Sequence, residues 1–126
     1  MNQLGLAPVA HERLSIDVSD QPKGVHVKIV GNIDMQDPSR LLDPFFAKLH
    51  ESAVQNSVAE IEVDFRQLDF LNSSGIKALA KWIMLLGMSK PERRYRVKML
   101  HNKAVAWQST SLPTLTLLIP GTVSLA

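Results

Sequence analysis

The chain has 126 residues, 45% of them hydrophobic and 21% charged, with a formal net charge of +2. That is enough for one domain with a core, too little for two, and far from the balance of a disordered chain. The absence of cysteine excludes a disulfide framework and a thiolate metal site, and no apolar run approaches the roughly 18–20 residues that cross a bilayer.

Residues 1–11 lack the basic start and apolar middle of a secretory signal. They are expected to form a flexible segment ahead of a single domain over 12–126, in the cytoplasm. Glu12 to Val18 alternates polar and apolar residues, which predicts a half-buried strand. Gln21-Pro22-Lys23-Gly24 is turn chemistry, and Val25 to Val30 alternates again, so the two strands are expected to pair as a hairpin. Gly31-Asn32-Ile33-Asp34 closes the second strand. A helix then begins with Asp37 as cap and Pro38 at its first position, and Pro44 makes it irregular until Phe45. Phe45, Leu49 and Ala53 share one face, with Phe46 and Leu42 beside it, and Asn56-Ser57 ends the helix.

Val58, Ile61, Val63 and Phe65 mark a third strand whose β-branched content suits a central position. Strand, helix, strand is a βαβ unit, which predicts parallel pairing of the second and third strands. A helix follows from Ser73 to about Met88, capped by Asn72 and stopped by Gly87 and Lys90-Pro91. Tyr95 to Leu100 reads as a fourth strand. Asn102 is expected to cap a short helix carrying Val105 and Trp107, and Ser111-Leu112-Pro113 to open another with Leu115 and Leu118. Thr122 to Leu125 reads as a terminal edge strand. The expected class is α/β, a small mixed sheet with a parallel core.

Charge divides unevenly along the chain. Residues 1–70 hold 6 Lys/Arg against 11 Asp/Glu, a net of −5, while residues 71–126 hold 8 Lys/Arg against Glu92 alone, a net of +7. The basic segment Lys90, Arg93, Arg94, Arg96, Lys98 and Lys103 has only Tyr95 interleaved and no nucleic-acid motif. A solvated surface or a face for an acidic protein explains it better than nucleic acid.

The run Leu68-Asp69-Phe70-Leu71-Asn72-Ser73-Ser74-Gly75-Ile76-Lys77-Ala78-Leu79 links strand to helix. It puts two hydroxyls on a first helical turn, where unpaired N–H groups and the helix dipole favour an anion. Asp34 leaves the end of the parallel neighbour, so a carboxylate and a hydroxyl reach one rim of the fold. A purely structural alternative is that Asn72 caps the helix and the serines fill its first turn. The Gly31-Asn32-Ile33-Asp34 turn, the helix, the VAEIEVDF-type strand and LDFLNSSGIKAL together resemble the STAS family of anti-sigma-factor antagonists. Element order carries the resemblance over 12–119, and its specific part is Ile61 to Leu79.

The resemblance implies a small sheet with helices packed mainly on one face, and a non-catalytic switch without cofactor or metal. Ser73 is then the acceptor of phosphate from a serine kinase that is also the anti-sigma factor, with Ser74 as second choice. A metal-dependent phosphatase reverses the step, and Asp34, Asn72, Ser74 and Gly75 complete the loop. Asn72 departs from the acidic residue of the family pattern: it caps a helix equally well and removes one charge that would oppose a phosphate.

On a helical wheel Ile76, Leu79, Ala80 and Ile83 form the core stripe, and Ala78, Trp82 and Leu85 fall nearly opposite. That placement predicts either an exposed partner-docking patch or a flank covered by the C-terminal segment through Trp107 or Leu112. Catalysis has little support. The loop lacks the first glycine of a Gly-x-Ser-x-Gly elbow, and nothing ties His26 or His101 to Ser73 and Asp34 as a triad. The four histidines show no metal spacing. A STAS-like module that binds a nucleotide or scaffolds another signalling enzyme is the alternative.

Overall fold

The structure, a computed structural model, describes residues 4–6 and 8–126. In chain order the elements are β1 (Val9–His11), β2 (Leu14–Gln21), β3 (Gly24–Ile33), α1 (Ser39–Gln55), β4 (Glu60–Leu71), α2 (Ser73–Met88), a 3-10 turn (Pro91–Arg93), β5 (Arg96–Leu100), α3 (Ala106–Thr116) and β6 (Val123–Leu125). One six-stranded sheet takes them in the order β1-β2-β3-β4-β5-β6. The β1/β2 and β2/β3 pairs are antiparallel, and the β3/β4, β4/β5 and β5/β6 pairs are parallel. The expected hairpin, parallel core and edge strand are all present.

Alternation divides the two faces. Val25, Val27 and Ile29 of β3, Ile61, Val63 and Phe65 of β4 and Val97 and Met99 of β5 are buried against the helices. On the other face His26 lies opposite Glu62, and Glu62 opposite Lys98. His26 Nδ1 is 2.8 Å from Glu62 Oε1, and Arg66 holds both carboxylate oxygens of Asp64 at 3.0 Å. Burial pushes the Glu62 carboxyl up, yet hydrogen bonds from Gln21 and His26 and the charges of His26 and Lys98 outweigh it and hold it below its ordinary value.

Three expectations need correction. The N-terminal segment is not loose throughout: Val9–His11 pairs with β2, and Leu4 and Leu6 are buried, because their apolar side chains gain from joining the core. Met1–Gln3 and Ala7 lie outside the described residues. Asp37 does not cap α1. Pro38 takes that position through its carbonyl, which accepts from Leu41 and Leu42 N–H at 3.0 and 2.9 Å, while Asp37 accepts from the Ser39 hydroxyl. α1 also runs regularly through Pro44. Finally, the two expected C-terminal helices are one. α3 continues across Pro113 because Leu112 and Leu115 are anchored in the core on either side of it, and Val105 rather than Asn102 is its cap.

Gln108 explains how α3 is seated. Fully buried, it donates through Nε2 to the Phe65 and Leu68 carbonyls at 2.6 and 3.0 Å, and its Oε1 accepts from Asn102 N–H at 2.7 Å. Trp107 Nε1 adds a third donor to this stretch, bonding the Leu68 carbonyl at 2.9 Å. The β3/β4 register shifts between Lys28/Asp64 and Val30/Gln67. An irregular strand leaves backbone carbonyls without their usual partners, and these two side chains satisfy them.

A polar chain runs through the α1–α2 contact. Trp82 Nε1 donates to the Tyr95 hydroxyl at 2.9 Å, and that hydroxyl lies 2.7 Å from His50 Nδ1. His50 Nε2 is 3.3 Å from Ser89 Oγ, which donates to the Leu85 carbonyl. Every donor finds an acceptor when His50 is neutral with its proton on Nε2. Burial lowers the His50 pKa from 6.5. Just below that value the unfolded chain binds a proton that the folded chain refuses. This contribution is therefore complete above about pH 6.5 and lost as pH falls through the folded pKa. Urea titrations near pH 7.5 and 5.5 are expected to show the acid loss, with His50→Gln reducing the difference between the two pH values. An equal loss in the variant would exclude His50 as the source.

Candidate functional site

The rim of interest forms where β3 and β4 end side by side. Ile33 pairs with Leu71, so Asp34 leaves β3 beside Asn72. Asn72 N–H donates to the Ile33 carbonyl at 3.0 Å, which carries the pairing one residue beyond β4. The Asn72 side chain then uses both of its ends. Its Oδ1 accepts from Gly75 N–H at 2.9 Å, capping α2, and its Nδ2 donates to the Met35 carbonyl at 2.9 Å, holding the loop that carries Asp34. Ser73, the first residue of α2, is exposed, and Ser74 is half-buried.

Gly75 serves through close contact rather than through dihedral freedom. A Cβ there would lie 2.3 Å from Leu71 Cδ1 and 3.1 Å from Ile33 Cγ2. The missing side chain lets the first turn of α2 sit directly on the two strand ends. At Gly31 the backbone itself demands glycine: φ is +115°, and a Cβ would lie 2.1 Å from the Arg13 carbonyl oxygen.

These contacts give the Asn72 departure a structural role. An ionised aspartate would keep the cap but would turn an oxygen toward the Met35 carbonyl in place of a donor. Asn72→Asp is expected to lower stability by about 1–2 kcal/mol. Urea unfolding reads the loss directly, and an unchanged midpoint and slope would contradict it.

The expected site residues do not all share this rim. Ser73, Ser74, Asn72, Gly75 and Asp34 come together there. Asp34 is not isolated: its carboxylate meets Arg13 Nη1 at 2.9 Å, a partner that the sequence reading missed. Gly31 preceding the Ile33-Asp34 turn was its available signal, since the close backbone approach at that glycine is to Arg13.

The docking patch is corrected more heavily. Ala78 and Trp82 are buried, at 2% and 1% exposure, while Leu85 is exposed at 38%. Phe46 of α1 stacks on Trp82 with centroids 5.0 Å apart, and Tyr95 stacks more distantly at 6.4 Å. α2 packs beside α1 and also contacts α3, so its buried arc is wider than a single stripe. Exposed apolar surface lies further along α2, at Met84, Leu85 and Met88. With Phe46, Ala78 and Trp82 at their base, these residues line an open groove of about 340 Å³ between α1 and α2, edged by Lys81 and Asp43.

The imagined triad is not assembled. His26 bonds Glu62 on the polar face, seven residues down β3 from Ile33, a run on the order of 20 Å. His101 bonds the Ala126 carbonyl. Among the described residues no His/Asp/Glu cluster could hold a metal, and no helix is long and apolar enough to cross a membrane. Two residues of the basic segment act locally: Arg94 donates to the Gly87 and Ser89 carbonyls at the end of α2, and Lys98 lies 3.8 Å from Glu62.

No family model matches the chain, and no curated protein matches it. Solved structures do, among them these two. An anti-sigma factor antagonist from Mycobacterium paratuberculosis superposes with a TM-score of 0.59 at 20% identity, over 91% of this chain and 88% of that one. A chain from the crystal structure of the diguanylate cyclase SiaD in complex with its activator SiaC, from Pseudomonas aeruginosa, superposes with a TM-score of 0.67 at 14% identity, over 94% and 97%. The protein therefore has the fold of an anti-sigma factor antagonist, a mixed six-stranded sheet with three helices.

Proposed function

We propose that the protein is a non-catalytic regulatory switch that binds a partner protein and is controlled by phosphorylation of Ser73, with Ser74 the second candidate. The observation that carries this reading is the exposed Ser73 on the first turn of α2, next to an Asn72 that caps the helix and also bonds the Met35 carbonyl of the loop carrying Asp34. A phosphate there adds about −1.5 to −2 charges to a rim from which α2 leads to the apolar groove.

The partner of the STAS-like reading is an anti-sigma factor that is also a serine kinase, opposed by a metal-dependent phosphatase. Its docking face meets Met84, Leu85 and Met88 with apolar side chains. A second reading keeps the switch and changes the partner: the likeness to the SiaD–SiaC structure, at TM-score 0.67, favours a signalling enzyme such as a diguanylate cyclase. Both readings place the protein in the cytoplasm of a bacterium, the first in transcriptional control.

Phosphosite mapping of the protein from its native cell, with a pull-down by the unmodified protein, tests both. Phosphate on Ser73 and an anti-sigma kinase in the pull-down support the first reading; a cyclase in its place supports the second. Absence of phosphate from both serines would end the phosphorylation switch.

A further inference from the structure

We propose that Arg13 is the phosphate-binding residue of the switch, a guanidinium that leaves Asp34 and pairs with phosphoserine 73. The proposal rests on the Ser73 reading above and adds the group that would recognise the phosphate within this chain.

The backbone fixes where Arg13 stands. Asn32 N–H donates to the Arg13 carbonyl at 2.8 Å, and Gly31 packs against that carbonyl closely enough to exclude any Cβ. The side chain is 59% exposed; it reaches the end of β3 and meets Asp34, Nη1 to Oδ2. The Ile33–Leu71 pairing and the Asn72 bond to the Ile33 carbonyl set Asp34 beside Asn72, so Ser73 is the next residue along. Neighbouring strands lie about 4.8 Å apart. Asp34, the residue that holds the guanidinium, is therefore about one strand spacing from Asn72, the residue before Ser73.

Relative strength decides the exchange. A solvent-screened Arg–Asp pair is weak, whereas a phosphate offers about twice the charge and three acceptor oxygens to the guanidinium fork. Phosphorylation would thus move Arg13 from the carboxylate to the phosphate without backbone movement. Lys77, one turn along α2 and exposed, can supply a second cation but no fork. The exchange leaves Asp34 unpaired, so the phosphorylated rim presents a bare carboxylate as well as the phosphate.

The test installs phosphoserine at position 73 during synthesis of the full chain and follows its phosphorus NMR signal with pH. An exposed phosphoserine takes its second proton near pH 6. With Arg13 engaged the midpoint is expected about 0.5 units or more lower than in Arg13→Gln, with Arg13→Lys between the two. Coincident midpoints in all three proteins would overturn the proposal. Because no kinase is involved, this result is independent of whether the cell modifies Ser73. A native protein without phosphate would remove the switch reading, while the titration still decides whether Arg13 binds the phosphate.

Discussion

Ser73→Ala is expected to bind the partner under every condition, and phosphoserine at position 73 to weaken that binding about 100-fold, equivalent to about 2.7 kcal/mol. The size follows from desolvation and charge. A phosphate must shed part of its hydration when an apolar surface closes next to it, and it brings roughly two negative charges to a rim that already holds Asp34. Ser73→Asp carries one charge and fewer acceptor oxygens, so its loss should be smaller than that of the true phosphoserine. Isothermal calorimetry on the four proteins, unmodified, alanine, aspartate and phosphoserine, gives the ranking. Equal affinities for the alanine and phosphoserine forms would remove Ser73 from the mechanism.

Trp82→Ala is expected to destabilise the fold strongly rather than merely to disable docking. Trp82 is 1% exposed, stacks on Phe46 and donates to the Tyr95 hydroxyl. Its removal leaves a cavity between α1 and α2, breaks the chain leading to His50, and should cost about 3–5 kcal/mol, a large share of the stability of a domain this size. Guanidinium unfolding measures the loss, and a change below about 1 kcal/mol would contradict this placement. Docking is better tested from the groove's outer wall. Met88, 82% exposed, can be changed to Lys with little effect on folding, and the variant should lose partner affinity.

The contrast between Trp82 and Met88 shows where the sequence was legible. Period and composition identified the α2 span, the Asn72 cap, the parallel β3–α1–β4 unit and the buried face of α1, because each follows from local rules. The wheel failed at Trp82 because it assumes that one sheet buries a helix. α2 also packs beside α1, and Phe46, distant in sequence, converts an apparently exposed flank into core. Pro113 misled for a similar reason. Its local cost argues for a helix break, while Leu112 and Leu115, both buried, hold the segment in one helix.

The rim was legible in part. Ser73 and Asp34 could be placed together from strand order alone. The Asn72 amide bond to Met35 and the Arg13 pairing depend on register across three strands, which no short-range pattern encodes. Arg94 is a further case. Charge counting put it in a solvated basic patch, yet it terminates α2 by holding two carbonyls, one of them at 2.7 Å.

The most direct test compares the dissociation constants of phosphoserine-73 and unmodified protein for the same purified partner, at one pH and one ionic strength. Binding about 100-fold weaker for the phosphorylated form is the expected result. Matching constants would contradict a switch at Ser73.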